Sequence, residues 1–150
     1  MTAAAKTTLH ASAVLAGRHA VLIRGAAGSG KSRLALALLD AARVGVLGFA
    51  RLVGDDRVVL EAHHGRVLVR AAGTLAGLIE VRGLGIRRIH HELVAVVGLI
   101  VDLAAADATR LPDSSQSESE ISGVRLPRLA IPKGENPLPA LLAKLANEPI

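Results

Sequence analysis

The chain has 150 residues and is 51% hydrophobic, which suits one domain with a core of Ala, Val, Leu and Ile, since it contains one Phe and no Trp or Tyr. The lack of aromatic residues argues against a base-stacking nucleic-acid surface, the lack of cysteine excludes disulfides and thiolate zinc sites, and no apolar run could span a membrane. The net charge of +5 favours phosphate-bearing ligands or acidic partners, and we expect a cytoplasmic protein with neither nucleic acid nor membrane as a partner.

The first predicted elements are a strand and a helix joined by a glycine-rich loop. The apolar run Ala20–Ile23 predicts a buried strand. Residues Ser32–Ala42 predict a helix, because leucines recur at helical spacing among good helix formers. The loop between them satisfies the pattern G-x-x-x-x-G-K-[ST] at every position: Gly25-Ala26-Ala27-Gly28-Ser29-Gly30-Lys31-Ser32.

This loop is typical of a phosphate-binding P-loop. Its glycines allow backbone N–H groups to turn toward phosphate oxygens, and the start of the helix adds a positive dipole. Lys31 is predicted to face solvent and to reach the β- and γ-phosphates, and the Ser32 hydroxyl to bind Mg²⁺. A nucleotide bound with Mg²⁺ is therefore the expected ligand of this loop. The Asn-Lys-x-Asp motif by which GTPases recognise their base does not occur in the sequence.

Two adjacent carboxylates, Asp55 and Asp56, follow the apolar segment Leu52-Val53-Gly54. On an extended chain neighbouring side chains point to opposite faces, so only one of the two can face the phosphates squarely. Such an Asp can take the proton of an attacking hydroxyl while a second acid supports Mg²⁺. A Gly-Asp-Asp turn between two strands is the structural alternative.

The middle of the chain predicts extended structure. Residues 57–60 and 66–70 flank His63-His64-Gly65, a pattern typical of a β-hairpin. Further along, charged residues alternate with aliphatic ones until two glycines break the strand. A buried acid and base in such a segment would mark the edge of a site, and a surface strand with a bulge is the alternative. The segment reads Ile79-Glu80-Val81-Arg82-Gly83-Leu84-Gly85-Ile86.

Three further segments complete the predicted fold. The most apolar one, Leu93–Leu103, predicts a central strand that contains Asp102, which either competes for the role of metal-site acid or caps the turn before Ala104. Residues 113–120 hold no apolar side chain and predict a flexible loop, either a connector or an activity lid. Pro137–Ala146 predicts a closing amphipathic helix. The expected fold is α/β: a single P-loop domain spanning residues 1–150, with a mixed sheet flanked by few helices.

Taken in order, these motifs resemble the catalytic domain of HPr kinase/phosphorylase. The resemblance runs from about Leu9 to Ala146 and rests on His10, the P-loop, Val53-Gly54-Asp55-Asp56, the Glu80–Ile86 string and Pro132-Lys133-Gly134-Glu135-Asn136. It implies a sheet similar to that of phosphoenolpyruvate carboxykinase. It also implies an ATP-dependent kinase for a serine of HPr, the phosphocarrier of the sugar phosphotransferase system, and phosphorolysis at the same site. HPr, two-component signalling proteins and further copies of the chain in a hexamer are the expected partners.

The resemblance also implies roles for residues that bind ligands. Gly25–Ser32 match the positions that bind the nucleotide phosphates, and Ser32 and Glu80 match the metal-binding positions. The segments Glu80–Gly85 and Pro132–Asn136 match the region associated with substrate and phosphorolysis.

Catalytic roles follow from the same resemblance. Lys31 matches the P-loop lysine, and Asp56 matches the proton acceptor for the serine hydroxyl, although a swap of roles with Asp55 stays open. His10 matches a histidine near that carboxylate, and Arg110 matches a catalytic arginine. These residues are expected to act by positioning and by neutralising charge.

The sequence departs from the family pattern at several places. Arg33 follows the P-loop where Glu is usual, and extra residues that include Val44–Gly48 precede Asp55. Glu135 stands where Arg is usual, so we expect weaker phosphorolysis. The chain begins at the catalytic domain, so a short form without the family's N-terminal domain is expected.

Two other functions stay open. A P-loop kinase of small molecules would need a lid, which only the Ser- and Glu-rich loop 113–120 could supply. A non-catalytic nucleotide-sensing domain would bind a signalling partner without transferring phosphate.

Overall fold

A computed structural model of the chain describes residues 6–146. In that part of the chain, eleven strands and two α-helices form, and a single 3₁₀ turn covers Gly73–Leu75. The elements in chain order are β1 Lys6–Leu9, β2 Ala11–Ala16, β3 His19–Arg24, α1 Lys31–Arg43, β4 Ala50–Gly54, β5 Val58–His63, β6 Arg66–Ala71, β7 Leu78–Val81, β8 Gly85–Arg88, β9 Ala95–Asp102, β10 Glu118–Ile121, β11 Val124–Ala130 and α2 Leu138–Ala146.

Strand β9 is the centre of the main sheet, whose order is β1-β5-β6-β9-β3-β2-β4. It pairs in parallel with β3 along one side. On its other side, its first residues pair antiparallel with β6 and its last residues pair in parallel with β11. The sheet therefore branches at β9, and β10 adds to the branch beside β11. β7 and β8 form a separate two-stranded hairpin.

The parallel pairing brings three connections to one edge of the sheet. Arg24 at the end of β3 is paired in register with Asp102 at the end of β9, and Asp102 with Ala130 at the end of β11. The P-loop segment, residues 103–117 and residues 131–137 thus leave the same carboxyl edge. Ligands of open α/β sheets bind outside this edge.

The side chains of β3 point alternately to the two faces of the sheet and contribute to an apolar layer on each. Ala20 and Leu22 pack on one face with residues of β4, β5 and β6. Val21 and Ile23 pack on the other face with both helices, through residues such as Leu38 of α1. The period of two is that of a buried strand whose faces are both covered. The buried apolar residues are Ala, Val, Leu and Ile, as the composition predicts, and Phe49 is partly exposed.

Most predicted elements are confirmed, with bounds that shift by one to three residues. β3, helix α1, the β5–β6 hairpin, the central strand β9 and helix α2 all form. The predicted mixed sheet is also confirmed, although both helices lie on the same face of it. No described helix is long and apolar enough to cross a membrane.

Two local expectations are wrong in part. The predicted loop 113–120 is shorter, because Glu118–Ile121 is strand β10 and pairs with β11 through backbone hydrogen bonds. At the tip of the β5–β6 hairpin, only His64 and Gly65 form the turn, with φ values of 50° and 76°, and His63 belongs to β5.

Candidate active site

The P-loop segment opens a cavity of about 360 Å³ at the carboxyl edge of the sheet. Gly28 and Gly30 adopt positive φ, and at neither does any atom of residues 6–146 lie within 4 Å of where a Cβ would be. No side chain in this described part caps the start of α1, so its first N–H groups are available to a ligand. The cavity is lined by Ala27, Gly28, Gly30, Lys31, Ser32, Arg33, Leu36, Asp56, Glu80 and Arg82.

Lys31 is buried, which corrects the expectation that it faces solvent. Its side chain bends back over the loop, and Nζ donates to the carbonyl oxygens of Gly25 at 2.8 Å and Ala26 at 3.2 Å. The ammonium group is therefore held at the cavity wall by two neutral acceptors. Because no acid among the described residues pairs with it, its charge is available to an anion in the cavity.

Asp55 connects the P-loop helix to two strands. Its carboxylate is buried and accepts hydrogen bonds from Ser12 Oγ at 2.7 Å, from Ser32 Oγ at 2.7 and 3.0 Å, and from the backbone N–H of Glu80 at 3.1 Å. These donors satisfy both carboxylate oxygens. Asp55 thereby fixes the Ser32 hydroxyl beside Glu80, and it does not line the cavity.

Asp56 points the other way, into the cavity. The two acids lie in a turn between β4 and β5, where Asp56 has a φ of 65°. The alternative prediction of a Gly-Asp-Asp turn between two strands is therefore correct. The Asp56 side chain is exposed and lines the cavity, while its N–H donates to Ser12 Oγ at 3.2 Å. The turn separates the two acids as an extended chain would, and of the two only Asp56 lines the cavity.

The β7–β8 hairpin forms a wall of the same cavity. Glu80 and Arg82 both line it, and both side chains are exposed, so of the two alternatives the surface strand is correct and the buried acid and base is wrong. Their position in the cavity wall agrees with the prediction that this segment lies at the edge of a site. Gly83 and Gly85 turn the chain at φ 87° and 91°, and Leu84 lies exposed at the tip.

Three predicted groups of residues lie outside the lining of this cavity. His10 is exposed, but the N–H of its neighbour Ala11 donates to the carbonyl oxygen of Asp56 at 3.1 Å, which holds His10 near that acid. Arg110 is exposed in the connection between β9 and β10. The segment Pro132–Asn136 follows β11 at the same sheet edge, and its Asn136 Oδ1 accepts from the N–H of Leu138 at the start of α2.

Sequence reasoning missed a charge cluster at the same edge, which we call the Asp102 bridge: Arg24, Asp102, Arg128 and Asp107. Asp102 accepts from Arg24 Nε at 2.6 Å and Nη2 at 2.8 Å, and from Arg128 Nε at 2.5 Å. Arg128 also donates to both carboxylate oxygens of Asp107, at 2.8 and 2.9 Å. The Asp102 side chain is therefore occupied by two guanidinium groups and neither caps the turn before Ala104 nor is free to bind a metal ion.

We expect the Asp102 bridge to stabilise the fold at neutral pH and to lose this effect in acid. Burial alone would raise the pKa of Asp102, but hydrogen bonds and charges of Arg24 and then Arg128 lower it below 3.8. The stabilisation is therefore fully present above the unfolded-state pKa of about 3.9 and is lost as the pH falls through the lower folded-state pKa.

Urea unfolding from pH 7 to pH 2 measures this effect, with Asp102→Asn as the comparison. The difference in free energy of unfolding between wild type and variant should be constant above about pH 5 and shrink toward pH 2. A difference that stays constant down to pH 2 would contradict the assignment.

The residues present fit a nucleotide with a bound magnesium ion. Gly28 and Gly30 leave open space beside the start of α1, whose uncapped N–H groups are donors for phosphate oxygens. Within residues 6–146 no group of three His, Asp or Glu side chains could hold a metal ion alone. Magnesium in kinases is held by one or two protein oxygens together with substrate phosphates, and Ser32 and Glu80 supply oxygens of that kind.

Comparison with known proteins places this geometry in a family. The family model described as HPr Serine kinase C-terminal domain matches residues 1–140. A solved structure titled Hpr(Ser) kinase/phosphatase from Coxiella burnetii has a TM-score of 0.71 and 26% sequence identity, and the match covers 93% of this chain and 87% of that one.

Curated relatives agree with the family match. Proteins named HPr kinase/phosphorylase from Mycoplasma mycoides and Lactobacillus acidophilus are 30% and 32% identical over 124 residues, which are 75% of this chain and 37% and 36% of theirs. One from Streptococcus thermophilus is 31% identical over 147 residues, covering 86% of this chain and 43% of its own. The chain spans less than half the length of these relatives. By its sequence and its fold, it belongs to the HPr serine kinase C-terminal domain family.

Proposed function

We propose that this chain acts as a single catalytic domain that transfers phosphate from ATP to a serine of an HPr-type phosphocarrier. The observation that carries the proposal is the single cavity that combines the P-loop segment with Asp56 and Glu80. Phosphoryl transfer requires a phosphate cradle, a metal-binding acid and a group that accepts the proton of the hydroxyl. The family match makes a serine of HPr the substrate hydroxyl to test first.

The phosphate-binding role rests on the loop and the lysine. Backbone N–H groups at the start of α1, together with the open space above Gly28 and Gly30, suit the oxygens of a polyphosphate. Lys31 is held beside this space by carbonyl oxygens, which bind an ammonium less strongly than an anionic phosphate does. In this proposal Lys31 exchanges these carbonyls for the phosphates of ATP.

The metal-binding role is assigned to Ser32 and Glu80. Asp55 orients the Ser32 hydroxyl and also anchors the backbone of Glu80, so one buried carboxylate sets the positions of both candidate ligands. A magnesium ion held there with the nucleotide would neutralise charge on the transferred phosphoryl group.

Asp56 is assigned as the proton acceptor. Its carboxylate faces the cavity and has no arginine or lysine partner among the described ion pairs, whereas Asp55 is occupied by three donor groups. A carboxylate that is free of a cation and exposed to the substrate can accept a proton as the oxygen–phosphorus bond forms. His10 lies one residue from a backbone contact with Asp56, which supports its assignment as a neighbour of the reacting hydroxyl.

The proposal is tested by incubating the chain with ATP, Mg²⁺ and candidate HPr proteins and locating phosphoserine by mass spectrometry. Phosphorylation of one serine, dependent on Lys31, would support it. Transfer to small molecules but not to HPr would point to a small-molecule kinase. Tight nucleotide binding without any transfer would point to a nucleotide-sensing domain.

Phosphorolysis by this chain is expected to be weak, and Glu135→Arg to strengthen it. Glu135 is exposed in the turn after β11, where its N–H donates to the carbonyl oxygen of Pro132 at 3.2 Å, so its side chain is free to change without loss of the fold. A carboxylate repels inorganic phosphate, whereas a guanidinium binds it through two hydrogen bonds. Release of phosphate from serine-phosphorylated HPr at rising phosphate concentration measures the difference, and we expect about a tenfold gain.

The matched control is Glu120→Arg, which makes the same charge change at an exposed position on β10. It should leave phosphorolysis unchanged. Strong phosphorolysis by the wild type that neither variant alters would place Glu135 away from the phosphate.

A further inference from the structure

The connection between β9 and β10 is tied to the sheet by one arginine of β11. Arg128 donates through both of its Nη atoms to the carboxylate of Asp107, and Nη1 also donates to the carbonyl oxygen of Gln116 at 3.1 Å. Its Nε donates to Asp102, in β9. One guanidinium group, only 12% exposed, therefore clamps the first and the last part of the connection onto the end of the central strand.

The connection also closes on itself around Gln116. The Gln116 side chain donates to the carbonyl oxygen of Asp107 at 2.6 Å, and its Oε1 accepts from Thr109 Oγ1 and from the N–H of Asp113, both at 3.1 Å. Residues 107–117 are thus a compact loop whose ends and middle are held together by its own hydrogen bonds. Arg110 lies at its exposed outer part.

The other end of the Asp102 bridge reaches the P-loop. Arg24 is the residue before Gly25, and its guanidinium holds Asp102 through two hydrogen bonds. Its backbone carbonyl accepts from the N–H of Leu103, the first residue of the connection, at 2.9 Å. The bridge thereby joins the start of the P-loop to the compact loop through two carboxylates and two guanidinium groups, whose charges cancel.

We propose that Arg128 is a positioning residue which, through Asp102 and Asp107, sets the compact loop 107–117 against the phosphate-binding edge. The inference rests on the proposed function, because it assigns the loop a role in aligning the transferred phosphoryl group. Arg128 acts through other residues and does not line the cavity. Arg24 and Asp102 lie opposite each other at the ends of the paired strands β3 and β9. The compact loop and the P-loop segment therefore both extend from the same pair of strands.

The inference is best tested at Asp107, the most exposed carboxylate of the Asp102 bridge. Its side chain is 50% exposed, so Asp107→Asn removes a charge from an exposed ion pair at little expected cost in stability. We expect kcat for HPr phosphorylation to fall about tenfold, with KM for ATP unchanged within about twofold, because misplacing a positioned group slows transfer without weakening phosphate binding. Asp107→Glu restores a carboxylate and should recover most of the rate.

The matched control is Glu118→Gln, which cuts another exposed ion pair, with Arg125 at 2.7 Å, in the neighbouring β10–β11 ribbon. It should leave kcat unchanged. Hydrogen–deuterium exchange gives a second measurement that needs no transfer activity. Asp107→Asn should speed exchange in residues 107–117 at least about fivefold and leave α1 unchanged, while Glu118→Gln should not.

Each outcome decides the inference. Faster loop exchange together with a lower kcat at constant KM supports it, whereas equal behaviour of Asp107→Asn and Glu118→Gln overturns it. Faster exchange with an unchanged kcat also overturns it, since the loop would then have no role in alignment. If the wild type transfers no phosphate to HPr, the proposed function fails separately. Hydrogen–deuterium exchange then tests by itself whether the Arg128–Asp107 pair holds the compact loop. Unchanged exchange in Asp107→Asn would show that it does not and would overturn the inference.

Discussion

Replacing Lys31 by Ala is expected to abolish tight ATP binding and leave a folded protein. Hydrogen bonds to charged groups contribute about 1.5–3 kcal/mol each, so losing an ammonium that contacts two phosphates should weaken binding by roughly 10²- to 10⁴-fold. The fold should persist, because Lys31 bonds only two carbonyls of its own loop, and residues 26–28 of that loop are exposed to water. Titration calorimetry with ATP and Mg²⁺ measures the loss.

The control for this variant is Arg43→Ala, at the opposite end of α1. Arg43 is exposed and, within residues 6–146, its ion pair is with Asp40 of the same helix, at 3.2 Å. Its removal takes away the same charge from the same helix, and ATP affinity should be unchanged. If Lys31→Ala binds ATP as the wild type does, then the loop at Gly25–Ser32 is not the phosphate site.

Replacing Asp56 by Asn is expected to retain nucleotide binding and to lose phosphoryl transfer. General-base catalysis contributes about 10²- to 10⁴-fold, so kcat for HPr phosphorylation should fall at least about 100-fold, with the affinity for ATP within about twofold of wild type. The substitution is nearly isosteric, and the Asp56 side chain is exposed to the cavity, so the free energy of unfolding should change little.

Asp55→Asn is the matched comparison, because it makes the same change one residue away. Asp55 accepts from Ser12, Ser32 and the backbone of Glu80 at a buried position. An amide there must place an NH₂ group opposite one of these donors, so the variant should be less stable and bind magnesium–ATP more weakly. A nearly silent Asp56→Asn beside an Asp55→Asn that loses only transfer would reverse the two roles.

Local patterns were sufficient where a short stretch of chain determines its own structure. The P-loop string requires glycines at positive φ between a buried strand and a helix, and Gly28 and Gly30 adopt that conformation. The amphipathic spacing in α2 likewise depends only on neighbours along the chain, and the helix forms at Leu138–Ala146. The short strand β10 was missed because Glu118–Ile121 has polar residues and pairs only at one side.

Residue roles that depend on distant partners could not be predicted in the same way. Asp102 was a candidate metal-site acid because it ends a hydrophobic strand, with a cap of the following turn as the alternative. Its partners are Arg24, 78 residues earlier, and Arg128, 26 residues later. Glu80 and Arg82 looked buried because they alternate with aliphatic residues, yet the hairpin that carries them is a separate two-stranded sheet open to the cavity.

By itself the sequence determined the conformation of the glycine-rich loop Gly25–Ser32, the strand and helix around it, the central strand and the aliphatic core, because each depends on backbone preference or on the period of apolar residues. Only the tertiary structure decided that Asp56 faces the cavity while Asp55 orients Ser32, and that Asp102 pairs with two arginines. The physical reason is the same for both. A carboxylate is occupied or available according to which donors the fold brings within about 3 Å of it, and those donors come from strands and a helix that are far apart along the chain.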